Sequence, residues 1–152
     1  MLIRVATTAD VPALIALDAI ASHDVPRREA IADWVARDQC HVAIGIDGTP
    51  AGYVALTRSF FRSPFIEMLQ VKPSERRRGM ARALVQHCIA LMRGDAKLWT
   101  STNQSNGPMQ ALLPQLGFVY CGMFEHLDPG DPELIYVRFP DQSARANTAG
   151  II

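Results

Sequence analysis

Between residues 65 and 91, a strand pattern, a cluster of arginines around one glycine and an amphipathic helix pattern follow one another directly. The strand pattern is "FIEMLQV", and the cluster is "SERRRGMAR". After it, apolar residues recur at spacings of three and four, which predicts a helix with one buried face: Ala81, Leu84, Val85, Cys88 and Leu91. This stretch therefore predicts a strand-loop-helix unit of an α/β domain.

The rest of the chain continues the alternation of strand and helix patterns. Residues 2–5 predict a strand, residues 11–20 a helix capped by Asp10, and residues 26–38 a second helix. A hairpin is expected around Asp47 and Gly48, because this pair readily adopts the positive φ of a tight turn. Later strands are predicted at 97–102, 118–124 and 133–139, and a helix that Pro114 shortens or kinks at 108–117. The predicted order is β-α-α-β-β-β-α-β-α-β-β in one domain over residues 1–140, followed by a loose tail over 141–152.

Composition limits the classes of function. The 152 residues contain 15 Lys and Arg against 15 Asp and Glu, so the strong positive field that supports nonspecific nucleic-acid binding is not expected. Cys40, Cys88 and Cys121 are far apart, which argues against a disulfide framework or a zinc site and predicts three buried thiols. The four histidines show no metal-ligand spacing. No window approaches 18 apolar residues, so we expect a soluble cytoplasmic protein with no metal and no membrane contact.

The arginine cluster has the chemistry of an anion site. The first N–H groups of a helix have no partner within the helix and carry its positive dipole end. Gly79 has no side chain to keep a phosphate off this backbone, and Arg76, Arg77, Arg78 and Arg82 can add charge-assisted contacts. No Gly-Lys-Ser/Thr follows and only one glycine is present, so the pattern is neither a P-loop nor a dinucleotide fingerprint.

The cluster resembles the phosphate loop of the GCN5-related N-acetyltransferases, the GNAT superfamily, whose pattern is Arg/Gln-x-x-Gly-x-Gly/Ala. Arg76, Gly79 and Ala81 fill those positions, and "NGPMQALLPQLGF" is similar to the family's second motif through Asn106, Leu112, Gly117 and Phe118. The resemblance extends from Ile3 to about Phe139. It implies the GNAT fold, in which helices flank a mixed, mostly antiparallel central sheet whose fourth and fifth strands splay apart.

The resemblance also implies acetyl-CoA as co-substrate. The family's loop holds the pyrophosphate, its fourth strand pairs with the pantetheine arm, and the splay admits the thioester. Carried over residue by residue, the implied cofactor-binding residues are Leu69, Val71, Arg76, Arg77, Arg78, Gly79, Met80, Ala81, Arg82 and Asn106.

The catalytic groups are predicted from chemistry and position. Leu113 occupies the position of the tyrosine that often protonates the departing thiolate, so Tyr120 and Tyr136 are alternative acids. An alkyl ammonium costs about 4.6 kcal/mol to present as a free amine at neutral pH, which favours a base. Glu67, on the predicted fourth strand, is the candidate, although a strand carboxylate without catalytic duty is an equal alternative.

The predicted acceptor contacts lie at the end of the fifth strand and in the late acidic turn: Ser101, Asn103, Asp131 and Glu133. For the two asparagines, 103 and 106, helix capping is the alternative role. For the acidic turn, plain turn chemistry is the favoured alternative.

The sequence thus predicts an N-acetyltransferase that moves acetyl from acetyl-CoA to a primary amine by direct attack in a ternary complex. The acceptor is a small-molecule amine or a protein amino group, and a homodimer is possible from the family resemblance. A binding module that holds acyl-CoA without transfer is the first alternative, and a nucleic-acid-binding domain ranks last.

Overall fold

The computed structural model describes residues 1–93 and 97–140, and the predicted tail over 141–152 lies outside the described residues. The predicted order of helices and strands is confirmed. The elements are β1 (Leu2–Val5), α1 (Val11–Leu17), α2 (Val25–Ala36), β2 (Cys40–Ile44), β3 (Pro50–Phe60), β4 (Ser63–Val71), α3 (Met80–Leu91), β5 (Leu98–Asn103), α4 (Gly107–Gln115), β6 (Val119–Phe124) and β7 (Glu133–Arg138).

Seven strands pair into one sheet in the order β1-β2-β3-β4-β5-β7-β6. The pairs β1–β2, β2–β3, β5–β7 and β6–β7 are antiparallel. β4 and β5 are parallel and pair through Phe65 with Trp99 and Ile66 with Thr100. The predicted fold class, a mixed and mostly antiparallel sheet flanked by helices, is confirmed.

The chain divides into two compact units, Met1–Thr57 with Glu67–Cys88, and Arg58–Ile66 with the described residues from Ile89 onward. In the first unit, α1 and α2 bury their apolar residues against one side of β2 and β3. The fully buried side chains of this core include Leu14, Ile31, Cys40, Val42 and Tyr53. Complete burial of such side chains stabilises the fold by about 1.5–3 kcal/mol each.

A glycine in β3 lets α3 approach the first unit's sheet closely. A Cβ on Gly52 would lie 2.9 Å from the Met80 sulfur and 3.0 Å from the Gln70 carbonyl oxygen. Met80, Leu84, Val85 and Cys88 are the buried residues of α3. The missing side chain at position 52 therefore leaves room for Met80, the first residue of α3, to pack against β3.

In the second unit, β5, β7 and β6 pair in sequence and α4 supplies buried apolar residues. Leu113 and Phe118 are buried. The Asn106 side chain accepts a hydrogen bond from Met109 N at 3.2 Å and so caps α4. Pro114 lies inside the last turn, and the helix ends at Gln115, as its ring predicts.

Four local predictions are wrong. Leu91, predicted on the buried face of α3, is 48% exposed, and the first helix, predicted over residues 11–20, ends at Leu17. Asp10 precedes α1, but its carboxylate does not cap that helix. It accepts two hydrogen bonds from Arg4 at 2.7 and 3.0 Å and one from Thr7 N at 2.7 Å, which lowers the Asp10 pKa to about 2. Cys121 is exposed, because it lies on edge strand β6, whereas Cys40 and Cys88 are buried as predicted.

No helix within residues 1–93 and 97–140 combines the length and apolar character needed to cross a membrane.

Candidate active site

The arginine loop connects β4 to α3 within the first unit. After β4 ends at Val71, a 3-10 turn covers Pro73–Glu75, and α3 begins at Met80. Lys72 N donates to the Ala51 carbonyl at 2.7 Å, and the Arg76 Nε donates to the Val71 carbonyl at 3.3 Å. These two hydrogen bonds tie the entrance of the loop to β3 and to the end of β4.

The loop backbone is open where it enters α3. The first α-helical hydrogen bond runs from Ala83 N to the Gly79 carbonyl at 3.0 Å. The N–H groups of Gly79, Met80 and Ala81 therefore precede any acceptor inside the helix. Gly79 has a φ of 79°, and a Cβ built on it would meet nothing within 4 Å. Gly79 is itself exposed, so its backbone is accessible at the start of α3.

Arginines surround this open backbone. Arg76, Arg77 and Arg78 border it, and Arg77 has a φ of 63°, in the left-handed region that a side chain disfavours. Arg78 lies 3.7 Å from Glu75, a solvent-accessible pair that contributes little to stability. Positive side chains and the unpaired N–H groups of a helix start are the kinds of donor that bind a multiply charged phosphate.

Glu67 of β4 accepts a hydrogen bond from Trp34 of α2. The Trp34 Nε1 lies 2.8 Å from the Glu67 Oε2, and Trp34 is only 8% exposed. The sequence analysis did not predict this contact. The available signal was general, because a buried indole N–H needs an acceptor, but sequence does not say which acceptor it finds.

A buried network of hydrogen bonds lies next to Trp34. The Trp34 ring lies 6.4 Å from the Tyr53 ring, and the Tyr53 hydroxyl donates to Asp18 at 2.7 Å. Asp18 is fully buried and also accepts from Arg27 at 2.9 Å and from the Ala21 N–H at 3.2 Å. Burial alone would raise the pKa of Asp18, but the hydrogen bonds from Tyr53, Arg27 and Ala21 outweigh it and lower the pKa. The network holds Asp18 as a carboxylate and fixes the connection between α1 and α2.

Two of the predicted acceptor residues of the second unit, Asn103 and Asp131, take part in local hydrogen bonds. Asn103 Nδ2 donates to Asp128 at 2.8 Å and to the Asp131 carbonyl at 3.3 Å. The Asp131 carboxylate accepts from Ser105 N and Oγ at 2.9 and 2.6 Å. Glu133 pairs with Asn103 across the β5–β7 ladder. These bonds tie the acidic turn to the loop after β5.

The two candidate acids lie together on one side of the second unit's strands. Tyr136 pairs with Thr100 on β5 and with Tyr120 on β6, and the two tyrosine rings meet edge to face at 5.8 Å. Ser101 follows Thr100 and so projects from the opposite face. Burial, and then the neighbouring Tyr120, raise the pKa of Tyr136. Leu113, at the family's tyrosine position, is fully buried.

Within the described residues, no three His, Cys, Asp or Glu side chains are grouped to hold a metal ion.

Comparison with known proteins places the chain among acetyltransferases. It is 34% identical over 92 residues to streptothricin acetyltransferase of Streptomyces lavendulae, which covers 59% of this chain and 49% of that protein. It is 28% identical over 104 residues to peptidyl-lysine N-acetyltransferase YjaB of Salmonella typhimurium, covering 68% of this chain and 66% of that one. The matched part thus spans about half to two thirds of these relatives.

The fold agrees with this class. A crystal structure of a GNAT-family acetyltransferase from Bacillus cereus superimposes with a TM-score of 0.79 at 28% identity, covering 93% of this chain and 98% of that one. The model of the Acetyltransferase (GNAT) family matches residues 10–118, which include the arginine loop and the second motif. The chain belongs to the GNAT family.

Proposed function

We propose that this protein is an N-acetyltransferase that transfers acetyl from acetyl-CoA to a primary amine by direct attack in a ternary complex. The observation that carries the proposal is an exposed, unobstructed Gly79 at the start of α3, directly after three arginines, in a chain of the GNAT family. A pyrophosphate, which is multiply charged, fits that arrangement of donors.

The loop residues are proposed to have different roles in binding the cofactor. The N–H groups of Gly79, Met80 and Ala81 bind pyrophosphate oxygens, and Arg77, Arg78 and Arg82 add positive charge. Arg76 acts on the loop instead, since its Nε is bonded to the Val71 carbonyl.

The pantetheine arm needs contacts further along the strand. The backbone of Leu69 and Val71 pairs with the arm. The Asn106 oxygen is used in capping α4, so its contact with the arm runs through the amide nitrogen.

Glu67 is the proposed base. It takes a proton from the acceptor ammonium, directly or through water, and the amine nitrogen then attacks the thioester carbonyl. The hydrogen bond from Trp34 holds the Oε2 atom of Glu67. It therefore sets the orientation of the whole carboxylate group, including the direction of Oε1. The nitrogen of the tetrahedral intermediate loses its second proton to solvent, the carbon–sulfur bond breaks, and the sulfur leaves as a thiolate.

Protonation of the thiolate is assigned to Tyr136, with Tyr120 as its neighbour. A tyrosine hydroxyl titrates near ~10 and is therefore protonated at neutral pH, as a proton donor must be. A thiol titrates near ~8.5, so an acid assists this step without being essential.

The acceptor is an amine of a small molecule or of a protein. The two relatives are named for different acceptors, streptothricin and peptidyl-lysine, so the family relationship alone does not choose between these types. The residues proposed to contact it are Ser101, Asn103, Asp131 and Glu133.

The proposed location is the cytoplasm. The free thiols of Cys40, Cys88 and Cys121 suit this reducing compartment.

One observation favours a second candidate, a sensor that binds acyl-CoA without transfer. Leu113 is an aliphatic, fully buried residue where the family often has an acid. The two candidates share the phosphate site and differ in turnover.

The test measures binding and transfer separately. Calorimetric titration gives the Kd of acetyl-CoA, and thiol release against a panel of amines gives the rate. Glu67→Gln should leave the Kd unchanged and lower kcat about a hundredfold, the usual contribution of a general base. Glu29→Gln, which changes an exposed carboxylate of α2, is the matched control. Binding without release from any amine would favour the sensor, and an unchanged rate in Glu67→Gln would exclude Glu67 as the base.

A further inference from the structure

The second unit contains an apolar pocket that the proposed transfer has not used. Its volume is about 390 Å³, within the range of small-molecule sites. Its lining is mostly carbon and includes no ionisable side chain other than the Cys121 thiol: Phe60, Phe61, Ser63, Trp99, Cys121, Gly122, Met123, Phe124 and Ile135.

Packed aromatic rings form the floor of this pocket. The Phe60 ring lies at the centre of this group. Its centroid is 5.1 Å from that of Phe65, 5.3 Å from that of Trp99 and 6.5 Å from that of Phe124. Phe60 and Phe65 are stacked at 28°. The ring faces pack against one another and are not available to surround a cation. The pocket therefore offers an apolar surface of fixed shape and not a cation-binding aromatic cage.

The turn at the rim is strained by the residues that occupy it. Phe61 and Arg62 form the two-residue turn between β3 and β4, with φ values of 51° and 63°. Two positive φ values define a type I′ turn, which Asn-Gly adopts with little strain and a bulky residue adopts at a cost. Phe61 is nevertheless 82% exposed, and its ring meets Phe60 edge to face at 5.0 Å. An exposed aromatic ring on a strained turn at the rim of an apolar pocket is suitably placed to contact a ligand in that pocket.

Residues that line the pocket are neighbours of Ser101, one of the predicted acceptor contacts on β5. Trp99 lines the pocket, and Ser101, two residues later, projects from the same face of the strand. Ser101 is directly opposite Ile135 on β7, and Ile135 also lines the pocket.

We propose that this pocket binds an apolar ring carried by the acceptor amine, and that Phe61 determines the preference for it. The inference rests on the proposed acetyl transfer, and it narrows the acceptor to amines with a ring-bearing substituent. The lining offers no carboxylate for an ammonium group, so the ring enters the pocket and the amine stays outside it.

The first experiment compares acceptors that differ only in the apolar group. Thiol release is measured with ethylamine, 2-phenylethylamine and 2-cyclohexylethylamine. Burial of a ring of this size predicts a KM at least about tenfold lower for the two ring-bearing amines than for ethylamine. Equal kcat/KM for all three would overturn the ring site and leave the transferase proposal standing.

Variants separate the ring of Phe61 from the strain of its turn. Phe61→Asn removes the ring and suits the turn, so the melting temperature should stay equal or rise, while phenylethylamine should show a KM about tenfold higher than with the wild-type protein. Arg62→Gly relieves the turn but keeps the ring, so the preference should persist. Ile46→Asn, which removes a 95% exposed apolar side chain elsewhere, is the matched control. A Phe61→Asn protein that melts earlier and keeps the ring preference would show that Phe61 is structural.

A binding measurement needs no turnover. Saturation-transfer NMR with 2-phenylethanol, which has the ring but no amine, should show contact in the wild-type protein and in Arg62→Gly, and a weaker signal in Phe61→Asn. This result without acetylation of any amine would refute the proposed transfer and keep the ring site. Absence of 2-phenylethanol contact, or tighter binding of tetramethylammonium than of 2-phenylethanol, would refute the ring site.

Discussion

Two glycines of the first unit allow the phosphate-loop hypothesis to be tested with a nearly ideal control. Gly79 and Gly48 have φ values of 79° and 82°, and a Cβ on either would meet nothing within 4 Å. An alanine at either position therefore costs only the left-handed backbone conformation, about 1 kcal/mol, without a clash. We expect Gly79→Ala and Gly48→Ala to lower the melting temperature equally, by roughly 2–4 °C.

The two positions should differ completely in cofactor binding. A glutamate at position 79 would place a negative charge about 4 Å from the pyrophosphate, where each pair of charges repels by about 4 kcal/mol at an effective dielectric constant near 20. Salt and solvent lower this value at an exposed loop, so we expect the Kd of acetyl-CoA to rise at least about a hundredfold. A glutamate at position 48 should leave the Kd unchanged.

The assay is calorimetric titration with acetyl-CoA and with pantetheine, which lacks the phosphates. Gly79→Glu should weaken acetyl-CoA binding strongly and pantetheine binding little. If Gly79→Glu and Gly48→Glu bind acetyl-CoA alike, the start of α3 does not hold the pyrophosphate, and the reasoning from open N–H groups is refuted.

Three other perturbations test contacts of the first unit. Trp34→Phe removes the indole donor from the candidate base, so kcat should fall about tenfold, while calorimetry shows an unchanged Kd for acetyl-CoA; an unchanged kcat would contradict a positioning role. Asp18→Ala leaves Arg27 without its buried partner and should lower the urea-derived free energy of unfolding by about 3–5 kcal/mol, whereas a loss below about 1 kcal/mol would contradict the network. His41 and His87 lie 3.0 Å apart through their ring nitrogens, and burial lowers the pKa of both below 6.5. The unfolded chain then binds protons more readily, so stability should fall as the pH drops below about 6.5, and His87→Gln should flatten this dependence in urea titrations at several pH values.

The elements were predictable because their signals are local. Residues 80–91 repeat apolar side chains at helical spacing, and a helix with such a stripe packs that face whatever the partner is. The pair Asp47 and Gly48 predicted the β2–β3 turn, because Gly48 can adopt the positive φ that the turn requires. Asp10 shows the limit of local reasoning. Its carboxylate was close enough to cap α1, but the charge of Arg4 on the neighbouring strand attracted it instead.

In the candidate site too, features formed by one stretch of sequence were predictable and contacts between distant residues were not. The arginine loop is one continuous stretch, so its residue types and spacing identify it in the sequence. The contact between Trp34 and Glu67 joins residues 33 positions apart, and the contact between Tyr53 and Asp18 joins residues 35 apart. No local pattern selects such partners, because many polar groups along the chain could satisfy a buried indole or hydroxyl.

By itself, the sequence determined the order of strands and helices, the arginine loop and the family, since each of these depends on residues close together in the chain. Only the tertiary structure decided which donor fixes Glu67 and that aromatic residues of β3, β4, β5 and β6 meet around one pocket. The physical reason is that these contacts are set by strand pairing and side-chain packing, which bring distant residues together only when the whole sheet has formed.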